Sequence, residues 1–158
     1  MVKVLLFGFF RVIIFPTDRT YVGDLVPYYS EASKRSDFQF SHYFEFNTEL
    51  LETIKALPPT PVRCLITAAS LHILPEVKPI LDPVFSKVYS LEKLGMRKTD
   101  PEAYQPICSD QMVAPSEVIF IDDNLNCLQS AGSVGLITLH YLSNSQTISD
   151  LTKLLTTQ

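Results

Sequence analysis

Three near-continuous apolar runs constrain the fold of this chain more than any other feature. They lie at Val2–Phe7, Val62–Thr67 and Val118–Ile121, and they lack the regular polar–apolar alternation of a strand with one solvated face. Such runs are typical of strands that are covered on both faces in a parallel sheet. Weaker strand patterns follow at Lys87–Leu91 and Leu136–His140. The sequence therefore predicts a sheet whose central strands are buried.

Helical patterns separate these apolar runs. Pro106 is expected to kink or shorten one of the predicted helices, because proline lacks the N–H that a helix interior needs. Strands that alternate with helices predict βαβ units, and hence an α/β fold with a doubly wound, Rossmann-like parallel sheet. The predicted helices run from an Asn47 cap to Leu57, from Asp100-Pro101 to beyond Pro106, from Asn124 to Ala131 with Gly132 closing it, and from Ile148 to Leu155.

Length and composition indicate one globular domain, spanning residues 1–158. The chain is 46% hydrophobic and 19% charged, which excludes a disordered chain and favours a single buried core. Its formal net charge of −4 does not indicate a basic surface for nucleic acid or for an anionic membrane. The apolar opening from Val4 to Phe15 is too short to span a bilayer and contains Arg11, so we interpret it as a buried strand.

The three cysteines predict neither disulfides nor a zinc site. Cys64, Cys108 and Cys127 are odd in number, lie in apolar surroundings and lack CxxC spacing. A reducing compartment, and hence a cytoplasmic location, is the simplest expectation. We interpret Cys127 as a buried, inert thiol rather than a nucleophile.

One segment, from Pro16 to about Phe46, does not follow the alternation of strands and helices. It is rich in aromatic residues, and we interpret it as an insertion after the first strand. Alternation over Asp37–Ser41 suggests a strand, and Tyr28–Lys34 suggests a short helix. The aromatic side chains suit either a protein-binding surface or packing on the domain core.

Polar residues follow the predicted strands at their carboxyl ends, where doubly wound sheets bind ligands. These ends carry Gly8–Arg11, Thr67–Ser70, Lys98 and Asp122–Asn124. They gather a hydroxyl, an ammonium, a guanidinium and two adjacent carboxylates around one crevice. Such a set suits a phosphate, or a divalent cation with a carboxylate substrate.

Four segments resemble the motifs of the haloacid dehalogenase (HAD) superfamily of hydrolases. In chain order they are LLFGFFRVI, LITAAS, LGMRKTDPEAY and VIFIDDNLNCLQSAGSVGLITLHY. The last two look most like the branch that contains dehalogenases and the epoxide-hydrolase N-domain. The resemblance covers the chain apart from the insertion and implies a HAD-like core in which residues 16–46 are a reduced cap.

The first motif departs from the family at its catalytic positions. The resemblance implies a nucleophilic aspartate where this chain has Gly8, within a motif that the branch writes as Asp-Phe-Phe-Gly-Val. Phe10 stands where phosphatase members keep a second aspartate as general acid and base. Arg11 replaces the glycine of that motif. Without either carboxylate, aspartate-based phosphoryl transfer has no nucleophile and no proton shuttle.

The other motifs keep most of their functional residues. The resemblance assigns Thr67 to hydrogen bonding of the transferring group and Lys98 to charge stabilisation. It assigns Asp122 and Asp123 to Mg²⁺, at a site weakened by the missing first-motif carboxylate. Cys127 stands where the family has a supporting Asp or Asn. The sequence therefore predicts Mg²⁺ as a weakly held cofactor and implies no other.

Each of these residues also has a purely structural interpretation. Thr67 suits a turn, Lys98 a solvated surface, and the adjacent Asp122 and Asp123 a helix cap. For Arg11 we hypothesise that the guanidinium reaches Asp122 or Asp123 and replaces the missing cation; the alternative is an exposed side chain.

The sequence thus predicts a HAD-like protein that is impaired or inactive in hydrolysis. Its crevice is predicted to bind a small anion, such as phosphate, or a protein partner. Two alternatives stay open: an active phosphatase or dehalogenase for a small substrate, and a structural or oligomerisation module. No nucleic-acid or membrane partner is predicted.

Overall fold

The computed structural model describes residues 1–156 and contains a five-stranded parallel sheet with the order β5-β4-β1-β6-β7. A separate antiparallel ribbon pairs β2 with β3. The order of the parallel strands places β1 at the centre of the sheet. The strands are β1 (Val4–Gly8), β2 (Ile14–Pro16), β3 (Phe44–Phe46), β4 (Val62–Thr67), β5 (Lys87–Ser90), β6 (Val118–Asp122) and β7 (Ile137–His140).

Eight α-helices and three short 3-10 turns connect these strands within the described residues. None of the helices over residues 1–156 is both long enough and apolar enough to cross a membrane. The α-helices are α1 (Leu25–Ala32), α2 (Phe40–Tyr43), α3 (Thr48–Ala56), α4 (Lys78–Leu81), α5 (Leu91–Leu94), α6 (Gln105–Gln111), α7 (Leu125–Ser133) and α8 (Asn144–Thr156). The 3-10 turns are Ser70–Ile73, Pro101–Tyr104 and Pro115–Glu117.

The central strand β1 divides the core into two layers. All five of its residues are buried, as its continuous apolar run predicted. Leu5 and Phe7 belong to the layer that contains residues of α3 and α8, whereas Val4 and Leu6 belong to the layer formed with α6 and α7. Helices therefore cover both faces of the sheet, which confirms the doubly wound α/β fold.

Local signals for the helix ends were right at α3 and α6 and wrong at the end of α7. The Asn47 side chain accepts a hydrogen bond from the Leu50 amide at 3.3 Å and caps α3 as predicted. The helix predicted from Pro101 is shortened at Pro106, as expected: Pro101–Tyr104 is a 3-10 turn, and α6 begins at Gln105 with Pro106 in its first turn, where a missing N–H costs nothing. Gly132 lies inside α7, and the turn to β7 is made at Gly135, whose φ of 95° favours glycine.

The opening apolar run forms two strands rather than one. After β1 the chain turns through Phe9–Ile13, where the amides of Ile13 and Ile14 both donate to the Phe9 carbonyl. The Ile14 carbonyl accepts in turn from the Arg11 amide, and β2 then begins. The turn is buried except at Phe10 and Arg11, so the whole segment is apolar although it is not one extended strand.

The aromatic insertion packs on the core and contains little regular structure. The strand predicted over Asp37–Ser41 is absent, because Phe40 instead begins the short helix α2 and packs its ring against Phe44, 5.6 Å away. The short helix predicted over Tyr28–Lys34 is present as α1, which begins three residues earlier and ends at Ala32. Both Phe40 and Phe44 are buried, which favours core packing for these rings. That residues 16–46 are a reduced cap stays a prediction.

Candidate functional site

The carboxyl edge of the sheet brings together the residues that the motifs indicated. Gly8, Thr67 and Asp122 are the last residues of the adjacent strands β1, β4 and β6. Lys98 reaches the same edge from the loop that follows α5. Parallel strands end on the same side of a sheet, so the fold itself produces this convergence.

Lys98 and Asp122 form a buried ion pair at the centre of this edge. The Lys98 Nζ donates to Asp122 Oδ2 at 2.7 Å, with the two side chains 14% and 0% exposed. The second oxygen, Asp122 Oδ1, accepts the Asn124 amide at 2.9 Å. Burial alone would lower the pKa of Lys98, but the charge and hydrogen bond of Asp122 outweigh it, and this pKa is raised. The ammonium is therefore charged and committed to one partner.

The Asp122 carboxylate of this ion pair occupies the space next to Gly8. A Cβ built on Gly8 would overlap Asp122 Oδ2 and lie 3.0 Å from Asp122 Cγ. The Asp122 carboxylate thus occupies the space into which any side chain at position 8 would project. The φ of Gly8 lies outside the left-handed region, so contact with Asp122 and not backbone conformation favours glycine there.

Asp123 lies beside the pair but makes no ion pair among the described residues. Burial and the neighbouring charge of Asp122 raise the pKa of Asp123 to about 6, although Lys98 opposes this effect. The Asp123 carbonyl accepts a hydrogen bond from His140 Nε2 at 3.0 Å, which ties the end of β7 to this loop.

Two hydroxyl groups mark the other side of the crevice. The Thr67 hydroxyl donates to the Ala69 carbonyl at 2.8 Å and accepts the Ala69 amide at 3.2 Å, so the local turn already uses it. Ser90 ends β5 in register with Thr67, and its buried Oγ has no hydrogen-bond partner among residues 1–156. Sequence reasoning missed Ser90, although the predicted strand over Lys87–Leu91 would have placed it at this edge.

The hypothesis that Arg11 replaces the missing cation is wrong. Its Nη2 donates instead to the carbonyls of Tyr21 at 3.0 Å and Gly23 at 2.8 Å. The backbone of Arg11 has a φ of 59°, and its guanidinium is bonded to carbonyls of the insertion. Its charge still lies near enough to lower the pKa of Asp123 slightly. Lys98, and not Arg11, neutralises Asp122.

The three remaining candidates have structural roles. Phe10 is partly buried, its ring 5.9 Å from that of Phe9. Asn124 caps α7, its Oδ1 accepting the Asn126 amide at 2.9 Å. Cys127 is buried as predicted, and burial raises the pKa of its thiol to about 11. None of these side chains supplies a nucleophile or a proton shuttle at neutral pH.

The described residues contain no cluster of three or more His, Cys, Asp or Glu side chains suited to a metal ion. At the predicted Mg²⁺ site both oxygens of Asp122 already accept hydrogen bonds, from Lys98 and from the Asn124 amide. Gly8 contributes no side chain to it. The Asp123 carboxylate forms no ion pair among the described residues, so no cationic side chain holds it as Lys98 holds Asp122.

Comparison with curated proteins gives a partial match to a phosphatase. The chain is 32% identical over 89 residues to the sesquiterpene phosphatase astK of Aspergillus oryzae. The matched segment is 56% of this chain and 45% of that protein, so the chain spans about half the length of the relative. No family model matches the chain.

Solved structures match the fold over nearly the whole chain. A predicted HAD-like family hydrolase from Porphyromonas gingivalis superposes with a TM-score of 0.69 at 21% identity, covering 98% of both chains. A HAD family enzyme from Bacteroides thetaiotaomicron, crystallised with magnesium and inorganic phosphate, gives 0.67 at 15% identity, covering 90% of this chain and 95% of its own. A subfamily IA hydrolase from Geobacter sulfurreducens gives 0.67 at 14% identity, covering 95% and 96%. The chain therefore has the HAD-like fold that its motifs predicted.

Proposed function

We propose that this chain is a HAD-like domain that has lost aspartate-dependent hydrolysis and that acts by binding a protein partner. The observation that carries the loss is the position of the Asp122 carboxylate, which fills the side-chain space of Gly8 and is bound to Lys98 at 2.7 Å. A covalent aspartyl mechanism needs a carboxylate that can reach the substrate, and position 8 supplies none.

Three side chains near position 8 are poorly suited to replace the nucleophile. Asp122 is fully buried, and both of its oxygens already accept hydrogen bonds. The Thr67 hydroxyl is used within its own turn. Burial raises the pKa of the Cys127 thiol to about 11, which leaves it protonated at neutral pH.

A protein partner suits this edge better than a small anion. The positive charge of Lys98 is committed to Asp122, so little free charge is left for a phosphate. Four large apolar side chains that follow the carboxyl ends of β4, β5, β6 and β7 are exposed, and apolar side chains of this kind are typical of interaction surfaces. They are Ile73 at 56%, Leu94 at 44%, Leu125 at 63% and Leu142 at 68%.

The loss of hydrolysis is tested with the unmodified chain and its Gly8→Asp variant. Both are assayed against a panel of phosphate esters and 2-haloacids with Mg²⁺ present. We expect no turnover by the unmodified chain. Turnover that co-purifies with it and is abolished by Lys98→Ala would overturn the proposal. Activity that appears only in the Gly8→Asp variant would support it, since the loss would then be traced to position 8.

The partner is tested by a matched pair of surface variants. Leu125→Glu changes an exposed side chain at the carboxyl edge, and Met112→Glu changes one that is 89% exposed away from that edge. A partner recovered with the full chain is expected to be lost with Leu125→Glu and kept with Met112→Glu. Equal recovery with both variants would contradict the placement of the surface.

A second candidate function is hydrolysis of a phosphate ester of a sesquiterpene alcohol. It is supported by the similarity to a sesquiterpene phosphatase and by the convergence of Thr67, Lys98 and Asp122 at one edge. Sesquiterpenyl phosphates therefore belong in the assay panel. Their turnover by the unmodified chain, sensitive to Lys98→Ala, would favour this function over the loss of activity.

A further inference from the structure

We infer that Lys98 takes the place of a metal ion at the carboxyl edge, so that this site is a metal-free ion pair and not a Mg²⁺ site. The inference rests on the proposed loss of a carboxylate at position 8. It goes beyond that proposal because a domain without a nucleophile can still hold Mg²⁺.

The donor set does not fit Mg²⁺. This ion requires oxygen ligands at about 2.0–2.1 Å in near-octahedral geometry, usually including one or two carboxylates. Asp122 Oδ2 accepts from the Lys98 ammonium at 2.7 Å, and Oδ1 accepts from the Asn124 amide at 2.9 Å. A cation on Asp122 would lie beside the fixed positive charge of Lys98, at an edge where position 8 adds no carboxylate to offset the repulsion.

The ammonium is held where it is by its surroundings. The Lys98 side chain is only 14% exposed, so water cannot readily compensate for loss of its partner. The backbone carbonyl of Lys98 accepts the Tyr104 hydroxyl at 2.6 Å, and Tyr104 is fully buried. Both ends of the residue are thus fixed, which favours the ammonium over an incoming metal ion.

The absence of a side chain at Gly8 allows Asp122 to reach Lys98. Asp122 reaches Lys98 with its Oδ2 in the space that a side chain at position 8 would fill. A carboxylate at that position would exclude Asp122 from this space and would add a ligand for a cation. The glycine therefore both removes a metal ligand and makes room for the ion pair.

Another lysine–aspartate pair provides a matched control. Lys87 Nζ lies 2.6 Å from Asp110 Oδ1, but the two side chains are 46% and 38% exposed. Exposed pairs of this kind contribute little to stability. Lys87→Met thus makes the same chemical change as Lys98→Met at a site that water can compensate.

The experiment measures metal binding and thermal unfolding of the full chain, with no activity readout. Mn²⁺ is titrated as a paramagnetic probe, and Tm is measured with EDTA and with excess Mg²⁺. We expect no stoichiometric Mn²⁺ binding and the same Tm in both conditions. Lys98→Met is expected to lower Tm by roughly 6–20 °C, because it leaves a buried carboxylate unpaired. Lys87→Met is expected to change Tm little.

The Lys98→Met variant is also expected to become responsive to metal. Excess Mg²⁺ should raise its Tm, because Asp122 and Asp123 are then two carboxylates without a cation. Lys98→Met combined with Asp122→Asn should lose this response. A Tm of Lys98→Met that ignores Mg²⁺ would contradict the inference.

Metal binding by the unmodified chain tests the inference even where Lys98→Met does not fold. Stoichiometric Mn²⁺ binding that is lost in Asp122→Asn, or a saturable rise in Tm with Mg²⁺, would overturn the inference. Such binding without turnover would leave the proposed loss of hydrolysis intact. Turnover without metal binding would overturn the proposed loss and leave the metal-free site intact.

Discussion

Replacing Gly8 by alanine adds one methyl group at the centre of the carboxyl edge, and we expect this change to destabilise the chain. The added Cβ would overlap Asp122 Oδ2, so the carboxylate must move. The carboxylate is held on both sides, by Lys98 at 2.7 Å and by the Asn124 amide at 2.9 Å. The methyl group therefore has to displace a buried charge from its partners and not merely fill a gap.

The size of the effect depends on how far Asp122 moves. Where Asp122 tilts but keeps Lys98, the cost is that of overpacking a core, about 1–3 kcal/mol. Where the pair separates, two buried charges lose their partners at a cost of about 3–5 kcal/mol. For a chain of this length, each kcal/mol lowers Tm by about 2–4 °C.

Urea unfolding of Gly8→Ala measures this cost, and a second glycine supplies the control. A Cβ on Gly132, inside α7, would meet only Thr138 Cγ2 at 3.8 Å, an ordinary contact. Gly132→Ala is therefore expected to stabilise the chain by about 0.5–1 kcal/mol through helix propensity. A loss of stability in both variants would point to a general sensitivity to substitution.

A double-mutant cycle identifies Asp122 as the cause. In an Asp122→Ala background the obstructing carboxylate is absent, so Gly8→Ala should cost at least about 1 kcal/mol less than it does in the unmodified chain. Equal costs in the two backgrounds, or a neutral Gly8→Ala, would refute the reasoning that Asp122 occupies the side-chain space of position 8.

Three further outcomes follow from other parts of the structure. Arg11→Lys should lower the free energy of unfolding in urea by about 1–3 kcal/mol, because an ammonium cannot reproduce both guanidinium bonds to backbone carbonyls; full stability would contradict this. Ser90→Ala should leave stability unchanged or raise it, since its buried hydroxyl has no partner in the part of the chain that the structure describes; a loss above about 1 kcal/mol would indicate a hidden partner. The thiols should react slowly with a disulfide reagent at pH 8 and rapidly in denaturant, because burial raises the pKa of both Cys64 and Cys127 to about 11; rapid reaction of the native chain would contradict their burial.

The central strands could be predicted because a strand buried on both faces has a near-continuous apolar sequence. Val62–Thr67 was predicted and is observed with the same bounds, between prolines and the turn that follows the strand. The helix from Asn124 was also predicted, but its end was not. Gly132 is tolerated inside α7 because Gly135, three residues later, provides the left-handed turn. Two nearby glycines give the same local signal, and only packing distinguishes them.

The sequence indicated several side chains at the carboxyl edge, but it missed Ser90 and gave Asp122 the wrong partner. A parallel sheet brings Thr67 and Asp122 to one edge because both end strands, whereas Lys98 reaches it from the loop after α5. The partner of Asp122 depended on the direction of two long side chains. Arg11 adopts a φ of 59°, a conformation that non-glycine residues rarely take, and its guanidinium bonds to carbonyls of the insertion. That conformation has no signature in the sequence, so the wrong cation was assigned.

The ion pair between Lys98 and Asp122 also offers a reason why these two motif residues are retained. Lys98 and Asp122 suggest catalysis when they are read as motif residues, yet folding alone accounts for their presence in this chain. Removing either one leaves a buried charge without a partner, whereas replacing both by apolar residues of similar volume is often neutral or stabilising. A domain that has lost its nucleophile can therefore retain the pair for stability, because a substitution of Lys98 or Asp122 alone destabilises the fold. Lys98→Met combined with Asp122→Leu should thus be more stable than either single variant, and a double variant less stable than both would show that the site needs its charges for another reason.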